Sequence, residues 1–316
     1  MEHVGPSPLA APVAGLPSRL LPWAALAAIY LLWGSSFMAI RVVVQHVPPF
    51  LMASWRYLAA AAILGVIALI VERPSAPAVR DLVRIGITGT AMFLGGNGLL
   101  SFGELHVPSG MAAVLMATIP FWMVAFEIVR GRLIPSLAIA AGLVCGIVGV
   151  VVLVGPATQG DTDLLSAGAI VLAAACWAVG SLSARQVESA HGPLTIATLQ
   201  MAAGGISLFA VAIVTGEITG FDATMVPSEA WLALAWLVVP AGVVTFGSYT
   251  YALRVLPSNV VATYPFANAV VAVLLGWAFL AEPVTGSTLI GCAVVIASAG
   301  LLGSRSAQVR RSPTRG

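Results

Sequence analysis

The sequence has very little charge. Charged residues occupy 8% of its 316 positions, against roughly 25% in ordinary soluble domains, and the formal net charge is only +2. There is no concentrated basic face for nucleic acid, so that class of partner is excluded. Lysine is absent, and all fourteen basic side chains are arginine. A P-loop, a retinal or pyridoxal Schiff base and a lysine general base therefore fall away together. Cysteine is scarce: Cys145, Cys176 and Cys292 lie far apart in apolar runs. They read as small core residues rather than as a disulfide framework. His3, His46, His106 and His191 lack a second ligand at metal-binding spacing, so neither a metal nor another cofactor is expected. Enzyme signatures are missing too, with no G-x-S-x-G, no H-E-x-x-H and no Asp between residues 82 and 160. An intramembrane enzyme, the rival from a different class, would need a nucleophile with its base, a pair of aspartates or a metal.

What is abundant is apolar surface, at 59% of residues. A helix needs about 20 mostly apolar residues to cross a hydrocarbon core of roughly 30 Å, and the chain divides at its Pro, Gly and charge clusters into ten such segments. They are 22–44, 50–71, 82–103, 109–129, 135–154, 164–187, 193–215, 230–252, 258–280 and 286–303. Runs of this length exclude a β-barrel. The first run, with Trp23, Tyr30 and Trp33, is too long for a signal peptide and reads as an uncleaved span. The expected class is an all-α integral membrane protein of ten helices.

Arginine is retained on the cytoplasmic side of membranes. With the amino terminus inside, twelve of the fourteen arginines fall in cytoplasmic segments, and the opposite loops contain none. Both termini are expected in the cytoplasm. Arg41 and Arg56 are the two that remain, inside spans 1 and 2 towards the outer face.

The two halves superpose at an offset of about 144 to 149 residues. Trp33-Gly34-Ser35-Ser36 with Arg41 matches Trp177-Ala178-Val179-Gly180-Ser181 with Arg185, and Pro108-Ser109-Gly110 matches Pro257-Ser258-Asn259. Five spans per half is an odd number, so the second half enters the membrane from the opposite side. Such inverted repeats are the architecture of many secondary transporters, with substrate bound near the midplane between the halves. The expected units are a tail (1–21), a first repeat (22–154), a linker (155–163), a second repeat (164–303) and a basic tail (304–316).

These features resemble the EamA family of the drug/metabolite transporter superfamily. The resemblance rests on Trp33 to Phe37, and on the stretch from Pro257-Ser258-Asn259 through Asn268 and Trp277 to Ala281-Glu282-Pro283-Val284-Thr285. It covers nearly all of residues 22–303. In the first repeat the turn reads Gly131-Arg132-Leu133, with Arg where the family usually has Glu, and in the second the usual Asn-Pro reads Asn268-Ala269. Within the family the chain is similar to the YddG type of amino-acid exporters, which places helices 1–4 and 6–9 around a central cavity and helices 5 and 10 outside it. Ala138, Gly142 and Gly146, with Ser287 and Gly291, fit that supporting role, because small residues at four-residue spacing let helices approach in lipid. The resemblance also implies a bacterial inner membrane.

Polar groups inside a membrane are costly and should face a cavity or each other. Trp33, Phe37 and Arg41 share one face of helix 1, with Ser36 beside it, and Trp177, Ser181 and Arg185 share the matching face of helix 6. They read either as paired walls of a pathway or as helix packing. Asn97 and Ser101 on helix 3, and Thr245 and Tyr249 on helix 8, stand beside Gly or Pro clusters that weaken the helix. They are either solute contacts or interhelical hydrogen bonds. Pro120 with Trp122, and Pro265 with Tyr264 and Asn268, predict kinks that serve as gates or are static. Arg41 and Arg56 are expected either to bind a substrate carboxylate or, the favoured reading, to form an ion pair with Glu104.

The expected function is alternating-access transport of a small organic solute, a neutral or aromatic amino acid foremost, since ring faces stack on aromatic walls. The chain is expected to act as a monomer or weak homo-oligomer in the lipid bilayer. Few carboxylates lie inside the spans, which favours a facilitator or exporter running down the solute gradient; proton antiport is the other reading. A channel is the remaining rival.

Overall fold

The computed structural model describes residues 20–74, 76–131, 136–154, 164–184, 191–261 and 263–309. Among them all regular structure is helical, with no strand, as an apolar environment requires of backbone that must satisfy its own polar groups. Seven helices are long and apolar enough to cross a membrane: α1 (Leu21–Val44), α2 (Pro49–Val71), α3 (Val79–Gly103), α4 (Ser109–Val129), α6 (Leu164–Ala184), α7 (Pro193–Val214) and α8 (Ser228–Val255). The other three expected spans correspond to α5 (Leu137–Val154), a two-part α9 (Ser258–Val261 and Tyr264–Leu280) and α10 (Gly286–Val309). Their apolar stretches are shorter, at Ile139–Leu153, Tyr264–Leu280 and Gly286–Ser298. Arg132, Arg185, the linker 155–163 and most of the two tails lie outside the described residues.

The direction of each helix follows from its contacts. Ser54 and Gly65 of α2 meet Gly205 and Thr198 of α7, so this pair runs antiparallel. α3 passes α6 in the same way, with Gly95 against Cys176, Gly96 against Trp177, and Gly103 against Ile170. α4 and α9 are antiparallel because Ser109 lies beside Glu282. The counterparts α2 and α7, and likewise α4 and α9, thus run in opposite directions. The α5–α10 pair stands beside this group, joined where Gly149 meets Val295 and Gly291 meets Leu153; Gly146 turns instead onto Phe121 of α4.

Four of these helices are irregular at matched places. α3 and α8 widen into π-helix at Thr90–Gly98 and Val239–Val244, where Gly clusters and Pro240 loosen the ladder. α4 and α9 break before Ile119-Pro120 and Tyr264-Pro265. The prolines sit in the first turn of the restarted segments, where a missing N–H costs nothing. Thr118 and Thr263 close the two breaks by donating to Leu115 O and Val260 O, both at 2.6 Å. The expected kinks are therefore full interruptions of the helix. α1 has its own π stretch at Ile29–Trp33, and α6 has none.

Carboxylates hold the ends together. Glu72, after α2, accepts from Leu194 N and Thr195 N of α7, both at 2.9 Å. Glu217, after α7, accepts from Leu51 N of α2 at 2.8 Å and from Phe50 N at 3.4 Å. α2 and α7 therefore cap each other's first turns at opposite ends of the bundle. Glu282, after α9, accepts from Ser109 N and Gly110 N of α4 at 2.7 and 3.1 Å. In α7 and α9 the capping residue follows one in the left-handed region, Gly216 (φ 76°) or Ala281 (φ 51°), which turns the chain back towards its target. Gly131, after α4, has the same conformation at φ 67°, but the next residue is Arg132, so this carboxylate has no counterpart in the fourth position.

Glu217→Ala removes the acceptor for two N–H groups and is expected to destabilise the protein by roughly 1–3 kcal/mol. The detergent-solubilised variant should show a lowered thermal midpoint, and Glu217→Gln a smaller drop. An unchanged midpoint for the alanine variant would show that the cap is idle.

Candidate functional site

Side chains of both halves meet in one aromatic band. Trp33 of α1 lies 5.0 Å from Tyr264 of α9 and 5.4 Å from Tyr249 of α8, ring centre to ring centre, and Tyr249 continues to Phe246 at 6.3 Å. On the other side the Tyr264 hydroxyl faces Trp177 of α6. Trp177 stands edge-on to Phe93 of α3 at 6.0 Å, and Phe93 lies 4.5 Å from Tyr57 of α2. Six helices contribute, three from each half. The rings of Trp33, Trp177, Tyr249 and Tyr264 are half-buried, as befits groups at the edge of packed protein.

Polar atoms in the band are tied to irregular backbone. The Trp33 indole N–H donates to Ala241 O, inside the π stretch of α8, at 2.9 Å. Tyr30 and Thr263 share a hydroxyl–hydroxyl bond where α9 restarts. In the amide orientation that satisfies its surroundings, Asn268 donates to the backbone carbonyls of Tyr264 and Tyr30 at 3.1 and 3.2 Å. A carbonyl freed from a helix ladder needs a donor, and the band supplies several.

The remaining expected residues are placed as follows. Asn97 and Thr245 make equivalent bonds, each donating to the carbonyl five residues earlier, Met92 O at 3.5 Å and Pro240 O at 2.8 Å; both thus serve the backbone of a π stretch. Ser36 is buried and donates to Trp33 O at 2.6 Å. Phe37 lies in the main core, and Trp122 packs on that core beside Phe126. Ser181 is half-buried on α6. Ser101 is buried at the Glu104 end, and its hydroxyl has no partner. The expected ion pair of Arg41 and Arg56 with the Glu104 carboxylate is not formed. Arg41 donates instead to the Glu104 backbone carbonyl, Arg56 lies over the Tyr57 ring at 4.9 Å, and both Glu104 oxygens lack a hydrogen-bond partner. The helix end sets this arrangement: Glu104 O is a C-terminal carbonyl with no ladder donor, and Arg41 reaches it first.

Sequence reasoning passed over Tyr30, Tyr57, Phe93 and Phe246. In helices that are apolar all round, an added aromatic ring leaves no periodic signal. Among the described residues no group of three His, Cys, Asp or Glu side chains is gathered as for a metal ion, and the three cysteines are free.

The walls of the band are close-set. A Cβ on Gly34 would lie 2.7 Å from Val271 Cβ and Cγ1 and 3.2 Å from Asn268 O, whereas one on Gly247 would meet open space. Gly34→Ala is therefore expected to destabilise by about 1–3 kcal/mol, and Gly247→Ala to stabilise by about 0.5–1 kcal/mol. Paired thermal melts read the difference; equal shifts would mean that α1 and α9 are not held at this separation.

A model of the EamA-like transporter family matches the chain twice, over residues 20–155 and 164–304. The chain is 32% identical over 263 residues to the uncharacterized inner membrane transporter YedA of Escherichia coli K12, covering 82% of this chain and 83% of that protein. It is 27% identical to a probable amino-acid metabolite efflux pump of Salmonella typhimurium, over 85% of this chain and 90% of the pump. It is also 27% identical to a probable terminal-alkyne amino-acid exporter of Streptantibioticus cattleyicolor, over 88% of this chain and 92% of the exporter. A solved crystal structure superposes with a TM-score of 0.60 at 20% identity, covering 93% of this chain and 98% of that one, which shows a shared fold.

Proposed function

The chain belongs to the EamA-like transporter family and is a multi-pass membrane transporter, not an enzyme; from that premise we propose that it exports neutral and aromatic amino acids. The solute binds in the aromatic band between the two five-helix units, and the bundle closes alternately towards each side. The observation that carries this reading is the convergence of Trp33, Tyr249, Tyr264 and Trp177 from both halves. Ring faces accept an aromatic or aliphatic side chain. Carbonyls and hydroxyls at the interrupted backbone of α8 and α9 offer partners to the ammonium and carboxylate ends. Two relatives whose names refer to amino-acid export support the solute class.

The arginine distribution supports cytoplasmic termini, and the likeness to the inner membrane transporter YedA supports a bacterial inner membrane. That distribution makes the end with Glu104, Glu217 and Glu282 the outer one, and the end with Glu72 the inner one. Asn97, Thr245, Ser36 and Asn268 act by holding the irregular backbone in place, and the breaks before Pro120 and Pro265 are where α4 and α9 bend as the ends open and close.

Proteoliposomes loaded with labelled phenylalanine or leucine are expected to show saturable efflux and to accumulate label in counterflow, which a channel does not do. Trp33→Ala and Trp177→Ala should each raise the half-saturating concentration about tenfold, equivalent to about 1.4 kcal/mol. Absence of saturable flux for every amino acid would overturn the solute assignment, and unitary currents would overturn the carrier mechanism.

A further inference from the structure

The outer end of the bundle encloses a carboxyl group that the fold does not use. Glu104 follows the last turn of α3 and is 0% exposed. Both its oxygens are buried without a hydrogen-bond partner, unlike those of Glu72, Glu217 and Glu282. The charged groups facing it are Arg41 from α1, Arg56 from α2 and Glu282 from the α9–α10 turn. Arg41 is spent on the backbone carbonyl and Glu282 on the first turn of α4. The Arg56 Nε is itself buried without a partner. Two residues along, His106 is bonded to Ser166 of α6 at 3.1 Å. α4 brings Ser109, and α3 itself Ser101, both with buried, unpartnered hydroxyls.

An ionised carboxylate in such a place would lack the hydrogen bonds that offset its loss of water. Burial pushes the Glu104 carboxyl well above the usual carboxylate range; the Glu282 charge adds to this, and Arg41 and Arg56 oppose it. The neutral acid is the form that this packing accommodates. Parting the helices admits water, ends the desolvation and frees both guanidiniums to face an ionised group.

We propose that Glu104 is a proton-binding site that locks the outer end: its carboxyl takes up one proton as α1, α2, α4 and the α9–α10 turn close around it, and returns it to water when they part. One O–H bond forms on closing and breaks on opening, and nothing else is exchanged. Since the closed arrangement has the higher affinity for the proton, acid on the outer side favours closure and alkali favours opening. The inference rests on the alternating closure proposed above and is independent of which solute is carried.

Infrared spectra of the protein in lipid nanodiscs at neutral pH test the site without any solute. The expected result is a carbonyl stretch of a protonated carboxylic acid that shifts in protein labelled with [13C]glutamate and is missing in Glu104→Gln. A spectrum with no such band, or a band that survives in the variant, overturns the site. Spin labels at Gln45 and Met225 then report the outer end. Their separation should grow from acid to alkaline pH in the wild type and stay short in Glu104→Gln. Labels that move with pH equally in both proteins, or in neither while the band is present, overturn the lock and leave the solute assignment untouched. The glutamine is a neutral match in size for the protonated acid, and a thermal midpoint equal to wild type confirms that the variant is folded.

Discussion

The first turn of a helix carries backbone N–H groups with no partner in its own ladder, and within a membrane protein water is not at hand to take them. Glutamates from other helices meet this need here. Glu72 serves α7, Glu217 serves α2 and Glu282 serves α4, so each helix start is bound to the end of the antiparallel helix packed against it. A carboxylate at a helix amino terminus also complements the helix dipole. The α2–α7 pair is tied at both ends. The α4–α9 pair is tied at the Glu282 end, and in the sequence Gly131 is followed by an arginine rather than a carboxylate. The interruptions before Pro120 and Pro265 set this pair apart from α2 and α7, which are continuous.

Much of this was legible in the sequence, and the reasons differ from one element to the next. Run length located the helices because lipid imposes a minimum number of apolar residues. Duplication pointed to Trp33 and Trp177 as equivalents, and the structure brings both to Tyr264. Asn97 and Thr245 stood out as polar residues beside weakened backbone, yet their bond to the carbonyl five residues back depends on π-helical geometry that no spacing rule conveys. Glu72 and Glu282 looked like loop residues, since their targets are more than a hundred positions away. Arg41 and Arg56 were matched to Glu104 by charge alone, and the backbone carbonyl that competes for Arg41 is invisible until the end of α3 is fixed.

The irregular backbone and the aromatic band belong together. Opening a helix ladder exposes carbonyls that would be costly in lipid, and the Trp33 indole, the Asn268 amide and the Thr118 and Thr263 hydroxyls cover them. The same loosened segments hold large rings from both halves within contact of one another. A surface of ring faces and neutral polar groups suits a zwitterion with an apolar side chain, and the Arg56 guanidinium lies at its α2 edge over the Tyr57 ring.

Diffraction from crystals grown with para-bromophenylalanine locates the bound solute, because bromine marks its own position by anomalous scattering. The expected result is one strong peak between Trp33, Tyr264 and Trp177. A peak only at the lipid-facing surface around Trp277, or no peak at concentrations that saturate transport, would contradict it.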